Sequence, residues 1–346
     1  MTARGTDWGL AALVAALIVT GALTLFAGSP GTAWIVAVHD ACGIAIGLLV
    51  VIKLRRVRPR LLGLERTNQR RAAGIAAALL VLSCLAAGFL WSEGVAVAPA
   101  GYTLLSWHDA LGVVLAIAVV AHMALRAKRL RRRDVADRRQ FLITTGVAAC
   151  AFLLWRTQRP IAALLGLKGA RRRFTGSYEA ESFAGNAFPS TSWVADNPAV
   201  IDPATYRLRV QGLVAHPLLL PIGELQAADE LIATLDCTGG FYSIQRWSGI
   251  RLGSLLDLAG ADPRARHVTV GSVTGYRWSF RVEDARDLLL ATYVTGAALS
   301  HDHGAPVRLV VPGARGFQWV KWVTRIELRR DPDLAAPLST VWSSFV

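Results

Sequence analysis

Five long apolar runs, near residues 8–27, 34–52, 72–91, 105–125 and 140–155, dominate the first half of the chain. A helix needs about 20 apolar residues to cross the hydrocarbon core of a bilayer. The first four runs reach that length and the fifth falls short of it. None has the flanks and small-residue cleavage site of a secretory signal peptide. The pattern predicts an all-α transmembrane bundle of five helices over residues 1–157 and a linker over 158–178. After about residue 175 the apolar positions break into short alternating segments punctuated by Gly and Pro. Strand-like alternation covers 206–213, 267–273, 276–282, 306–312 and 320–329. Helical spacing covers 222–232, 251–259 and 282–290. These elements predict a second domain, 179–346, of α+β class with an antiparallel core and an ordinary single-domain size.

Composition agrees with a membrane protein: 53% of the 346 residues are hydrophobic and the mean hydropathy is +0.40. The net charge of +14 would suit a nucleic-acid partner, but its location argues against one. Eight Lys and Arg residues fall in 53–71 and eight in 126–139, while the short loops 28–33 and 92–104 have none. Short loops rich in Lys and Arg stay in the cytoplasm. The N-terminus is then inside and the fifth helix exits. The chain reads as a multi-pass protein of the cytoplasmic membrane, with its second domain on the periplasmic or extracellular side. Arg156, Arg159, Lys168 and Arg171–Arg173 follow the fifth run on that outer side; a large domain is translocated regardless of such charges. The stretch "DRRQFLITTGVAACAFLLW" (137–155) places Arg138 and Arg139 ahead of Phe141-Leu142 and a modest apolar stretch. That arrangement resembles a twin-arginine export signal. The plainer reading makes the two arginines part of the basic loop.

Of four cysteines, Cys42, Cys84 and Cys150 lie in the apolar runs. Cys237 stands apart in "LDCTGGFYSIQRW" (235–247), where an intramolecular disulfide partner is not expected. It reads either as a buried inert thiol or as a soft thiolate ligand for a transition metal. Two glycines behind it let the backbone approach a ligand closely. Zinc and iron–sulfur sites need about four protein ligands. A metal held by one protein thiolate must therefore take its remaining ligands from an organic cofactor.

Three ordered segments, "VQGLVAHPLLLP" (210–221), "CTGGFYSIQRWSGIRLGSLLDLAG" (237–260) and "HDHGAPVRLVVPGARGFQWVKWVTRIEL" (301–328), resemble the molybdopterin domain of the sulfite oxidase family. The resemblance covers roughly 180–330. In layout it is similar to the periplasmic methionine sulfoxide reductase branch, because a chain stopping at Val346 leaves no room for the extra dimerisation domain of the larger sulfite oxidases. The resemblance implies an enzyme, a molybdopterin-dependent oxidoreductase that transfers an oxygen atom. It makes Cys237 the catalytic protein thiolate on molybdenum. It makes Asn186 (in "GNAFPSTSW"), Ser272, His303, Arg308, Trp319, Val320 and Lys321 cofactor-binding residues, with Arg308 and Lys321 facing phosphate. A guanidinium suits phosphate because its fork donates two parallel hydrogen bonds. The segment after Cys237 is more aromatic than basic, a departure from the arginine-rich oxyanion site of sulfite oxidases that puts sulfite in doubt as the substrate.

The bundle carries three of the seven histidines. "VHDACGIAIGLLVVIK" (38–53) and "WHDALGVVLAIAVVAH" (107–122) repeat internally, matching His39 with His108, Asp40 with Asp109 and Gly43 with Gly112. Helices 2 and 4 run in the same direction, so His39 and His108 share a depth. Two imidazoles at one level can ligate the iron of one haem b from both sides; alternatively they are hydrogen-bonded histidines at a wet helix end. His122 follows His108 by 14 residues, about 40° short of four turns at ~100° per residue. It is a candidate for a second haem, although Lys53 fills the matching place on helix 2. The bundle resembles cytochrome b561-type membrane cytochromes in general layout.

Together these features predict oxygen-atom transfer at an exported molybdenum–pterin site, wired through haem to the quinone pool or to a redox partner protein. A small molecule or a protein sulfoxide would be the substrate, and no nucleic acid is involved. Two alternatives remain open at this point: an exported thiol enzyme using Cys237 as nucleophile, with His301 or His303 as base, and a membrane-tethered binding module without redox cofactor.

Overall fold

The computed structural model describes residues 2–62, 69–126, 138–192, 196–225 and 228–343. Much of the two basic loops, 63–68 and 127–137, therefore lies outside the described residues. The chain divides into two units, Met1–Tyr178 and Glu179–Val346.

Among the described residues of the first unit, five helices are long and apolar enough to cross a membrane: α1 (Ala3–Thr24), α2 (Ala33–Leu62), α3 (Gln69–Ser92), α4 (Leu104–Arg126) and α5 (Arg138–Leu164). Thr2 caps α1 by accepting from the Gly5 N–H at 3.0 Å, satisfying one of the N–H groups a helix start leaves unpaired. Val14, Ile46 and Val50 form a small core between α1 and α2, with Val81 and Leu85 of α3 and Ala116 and Val119 of α4 packed against it. The fifth run, expected over 140–155, extends at both ends. Its polar continuation is anchored: Gln158 Nε2 donates to Ser92 Oγ at 3.0 Å and to Glu93 Oε1 at 2.7 Å. The segment expected as a linker packs on this unit as well. The Gly169 N–H donates to the Glu93 carbonyl, and the Arg172 guanidinium lies 4.1 Å from the Trp91 ring centroid, a cation–π contact.

The second unit holds two sheets. The strands are β1 (Tyr178–Glu179), β2 (Arg207–Gly212), β3 (Leu218–Pro221), β4 (Asp229–Asp236), β5 (Phe241–Arg251), β6 (His267–Ser272), β7 (Arg277–Arg281), β8 (Leu289–Val294), β9 (Ala297–Ala298), β10 (Arg308–Val310) and β11 (Val323–Arg329). Two short helices, α6 (Leu252–Leu258) and α7 (Val282–Ala285), follow β5 and β7. One sheet runs β1-β5-β8-β10, with β4 also on β5 and β9 on β8; the other runs β3-β2-β11-β6-β7. The core is antiparallel as expected, except that β11 pairs with β2 in parallel. Leu208 and Val210 of β2, Val268 and Val270 of β6, and Ile326 and Leu328 of β11 join Leu235, Trp247, Leu289 and Leu309 in one buried cluster between the sheets.

Two expected helices are corrected. Among the described residues of 222–232, a turn of 3-10 helix, Ile222–Glu224, is the only helical segment, and β4 begins at Asp229. β4 pairs with β5 along its whole length, Asp229↔Gly249 to Asp236↔Tyr242, and tertiary pairing overrides the local amphipathic spacing. Over 282–290 the helix stops at Ala285 and β8 follows. β8 is buried at five of its six positions, so it lacks the alternation that marks a half-buried strand.

Candidate functional site

Cys237 sits in the turn between β4 and β5. Its N–H donates to the Phe241 carbonyl at 2.8 Å and its carbonyl accepts from Gly240 N–H at 3.1 Å. Gly240 has φ +97°, a conformation that only glycine adopts without strain. Gly239 donates its N–H to Cys237 Sγ at 3.3 Å, and Thr191 Oγ1 lies 3.1 Å from the same sulfur. Arg315 braces the turn from behind: Nη1 is 3.2 Å from Asp236 Oδ1 in a buried ion pair, and Nη2 donates to the Cys237 carbonyl. A Cβ at Gly316 would meet Cys237 Cα at 3.1 Å, so glycine lets this loop close on the turn.

Two cations share this neighbourhood. Arg308 is 3% exposed. Its Nη1 donates to the His303 carbonyl at 3.0 Å, its guanidinium lies 5.6 and 5.8 Å from the Trp247 and Trp319 ring centroids, and its buried Nε has no partner. Burial pushes its pKa down to about 10, against the attraction of Cys237. Lys321 Nζ is held by Ser190 Oγ, Thr191 O, Ser192 Oγ and Asp302 O at 2.7–3.1 Å. Burial and then Arg308 lower its pKa to about 7, offset by Cys237, Asp196 and Asp302. Trp319 Nε1 is a second buried donor without a partner. Buried donors are nearly always satisfied. A guanidinium and an indole with unused N–H groups beside a thiol form a cluster suited to an anionic, acceptor-rich ligand.

Other expected residues serve this cluster as supports. His303 is buried with both ring nitrogens engaged, Nδ1 with Ser300 Oγ at 2.7 Å and Nε2 with the Phe188 carbonyl at 2.9 Å; desolvation lowers its pKa. Asn186 spans the backbone of the same loop, donating to Ala298 O and accepting from Ser300 N. Val320 is buried, and its carbonyl accepts from Leu309 N–H. Ser272 stands elsewhere, at the end of β6 opposite Val323. Its hydroxyl accepts from Thr274 N and Oγ1, and no hydrogen bond links it to Cys237. Thr191, Arg315 and Asp236 were not anticipated. Thr191 lies only five residues beyond Asn186 in "GNAFPSTSW", where clustered hydroxyls were the available signal.

In the first unit the His39 and His108 rings lie 6.1 Å apart between centroids, at 83° to each other. The two sites are built alike. His108 Nδ1 lies 2.9 Å from the Cys84 carbonyl, so Nδ1 must carry the proton. His39 Nδ1 is 3.0 Å from Thr20 Oγ1, a hydroxyl that donates its own proton to Ala16 O at 2.7 Å. Both rings therefore keep Nε2 as the free lone pair. Each rests on a glycine of the preceding helix: a Cβ at Gly21 would meet His39 Cε1 at 3.3 Å, and one at Gly88 would meet His108 Nδ1 at 2.7 Å. His122 is exposed on α4 and takes no part in this pair. Lys53, at the matching place on α2, is ion-paired with Asp7 at 2.9 Å.

Residues 194–336 match the family described as oxidoreductase molybdopterin binding domain. The chain is 32% identical over 148 residues to the protein-methionine-sulfoxide reductase catalytic subunit MsrP of Gluconobacter oxydans, covering 36% of this chain and 47% of that one. It is 31% identical over 169 residues to sulfite oxidase of Gallus gallus (39% and 37%). It is 31% identical over 161 residues to nitrate reductase [NAD(P)H] of Hordeum vulgare (36% and 18%). The chain thus spans less than half the length of these relatives. Its second unit carries an oxidoreductase molybdopterin-binding domain, similar to that of the methionine-sulfoxide reductase catalytic subunit and of sulfite oxidase.

Proposed function

We propose that the chain is a membrane-anchored molybdenum oxidoreductase, exchanging an oxygen atom with its substrate at the Cys237 cluster and electrons with the membrane through a haem b on His39 and His108. The observation that carries the first half is the unpartnered Nε of buried Arg308 beside Trp319 Nε1 and Cys237, within a segment matching the molybdopterin-binding family. Cys237 would give the metal its protein thiolate, and Arg308 and Lys321 would neutralise the phosphate of the pterin. When bound, the molybdenum–pterin group supplies oxygen-atom and two-electron chemistry. The chain's own residues orient it: Gly239 N–H and Thr191 Oγ1 direct the sulfur, and Arg315 with Asp236 fixes the turn. His303 has no nitrogen left to act as base on Cys237, so the thiol-enzyme reading rests on His301, whose buried Nδ1 has no partner.

Support for the second half comes from the bundle. His39 and His108, with ring centroids 6.1 Å apart and Nε2 left free on each, would hold the iron of the haem, which would supply one-electron chemistry. Large exposed apolar residues such as Val19, Leu79, Phe89, Ile117 and Val120 suit a lipid-facing surface. The quinone pool or a redox protein would be the electron partner, and a sulfoxide, small or protein-borne, the substrate class. The basic loops favour an outer position for the second unit, reached through a twin-arginine signal at Arg138-Arg139.

The test is the metal content of the full chain purified in detergent. Molybdenum and haem iron are each expected in proportion to protein, with molybdenum lost in Cys237→Ser and haem iron lost in His39→Ala and in His108→Ala. A well-folded preparation without molybdenum overturns the first half; one without haem overturns the second.

A further inference from the structure

The five-stranded sheet has a second face, turned away from the buried cluster. One row of paired residues crosses it from edge to edge: Leu219 on β3, Arg209 on β2, Arg325 on β11, Gly271 on β6 and Arg277 on β7. With Arg207, Ser272 and Val273, this row lines a cavity of about 520 Å³, large enough for a small organic ligand. Arg277 is tied to Asp333 at 2.6 Å, and Arg207 Nη1 donates to the Ala204 and Tyr206 carbonyls. Arg209 and Arg325 make no hydrogen bond or ion pair with any described residue, nor does Glu327, the next side chain along this face of β11. Like charges directly opposite on neighbouring strands, ~4.8 Å apart, destabilise a sheet. The Arg325 side chain lies across Gly271 on β6: a Cβ there would meet its Nε at 3.4 Å and its Nη2 at 3.5 Å.

We propose that this cavity binds a phosphate group of a small ligand, pinched between the Arg209 and Arg325 guanidiniums, with the rest of the ligand against Leu219 and Val273. The fork of each guanidinium matches phosphate oxygens, and the bound anion removes the repulsion between the two cations. The site is separate from the Cys237 cluster, whose residues belong to the core on the other face. The ligand is either a soluble phosphate compound or a phospholipid head group, and the two sources are distinguishable.

The experiment titrates the full chain, purified in uncharged detergent at low ionic strength, with pyrophosphate and separately with phosphatidylglycerol in mixed micelles. Calorimetry is expected to show saturable binding of one or both, weakening as salt is raised. Binding of pyrophosphate alone identifies a soluble ligand, and binding of the lipid alone identifies a head group. In the double variant Arg209→Gln/Arg325→Gln the affinity falls about tenfold or more, and Arg325→Lys, which keeps the charge but loses the fork, falls as well. Leu219→Glu, at an exposed position, abolishes binding and serves if the double variant does not fold. Without ligand, Arg325→Gln melts at a higher temperature than the wild type, because the repulsion is gone. Molybdenum content is unchanged in every variant. The proposal is overturned if neither phosphate probe binds, if the variants bind as the wild type does, or if Arg325→Gln lowers the melting temperature. It is equally overturned if the variants lose molybdenum, or if acidic polyglutamate binds and neither phosphate probe does.

Discussion

His108 Nδ1 and the backbone carbonyl of Cys84, 2.9 Å apart on facing helices, fix the tautomer of one histidine in the bundle, and Gly88, one turn beyond Cys84, leaves the space in which the ring lies. A methyl group at Gly88 would come within 2.7 Å of Nδ1, closer than any real Cβ contact, and the ring would have to move. With His108 as the proposed haem ligand, Gly88→Ala is expected to lower haem content about tenfold or more, since misdirected ligands commonly cost 10–100-fold in metal affinity. Gly74→Ala, in the same helix with nothing within 4 Å, leaves it unchanged. Absorption of the purified proteins in the Soret region compares the two.

Thr191 and Gly239 both direct hydrogen bonds at Cys237 Sγ. Replacing the sulfur would remove the proposed metal ligand, whereas replacing the hydroxyl removes one contact worth about 1 kcal/mol. Cys237→Ser is expected to purify free of molybdenum. Thr191→Val keeps the metal but shifts its electron paramagnetic resonance signal, which reads the sulfur's environment. Elemental analysis with that spectrum separates the two roles.

Lys321 gives a pH signature with a defined sign. Its pKa falls from the usual 10.5 to about 7 in the folded chain. Between those values the unfolded chain binds more protons than the folded one, so folding stability rises with pH across that window. Below about 7 both states are protonated and the burial penalty is present in full. Cofactor-free protein should therefore melt at a higher temperature at pH 9 than at pH 7, other titrations aside. The difference between wild type and Lys321→Met isolates this contribution: the variant's advantage is largest at or below pH 7 and shrinks as pH rises. An advantage that grows with pH would contradict the assignment.

The buried pair of Arg315 and Asp236 predicts an asymmetric response. Removing the cation alone in Arg315→Met leaves a carboxylate inside the protein, and breaking such pairs costs roughly 3–5 kcal/mol. Replacing both, in Asp236→Asn/Arg315→Met, is expected to recover much of that loss. Thermal unfolding of the two variants tests the order.

The bundle was readable because its signal is local: the four longer apolar runs mark α1 to α4, whereas α2 continues past its run to Leu62 and α5 outruns its own at both ends, the latter carried on by the Gln158 contacts to Ser92 and Glu93. The sheets were harder to read. β4 carries helix-like spacing at its start, and the buried β8 does not alternate, so long-range pairing with β5 decides both. Cys237, Arg308, Trp319 and Lys321 were found through ordered motifs, and they meet in one cluster. Thr191 and Arg315 escaped notice because hydroxyls and arginines are common, and only the fold shows which of them meet the sulfur or brace the turn behind it. His303 and Asn186, expected as cofactor-binding residues, lie in this neighbourhood, where their side chains are spent on the backbone that shapes it.

The paired arrangement of histidine, glycine and Nδ1 acceptor makes the α1–α2 and α3–α4 hairpins equivalent pieces of a clasp. Thr20, Gly21 and His39 complete one jaw; Cys84, Gly88 and His108 complete the other. Neither jaw borrows from its counterpart to aim its imidazole. A metal ion gripped between them would tie one hairpin to the other, so that stripping the iron should loosen the seam between the hairpins while each keeps its own histidine in place.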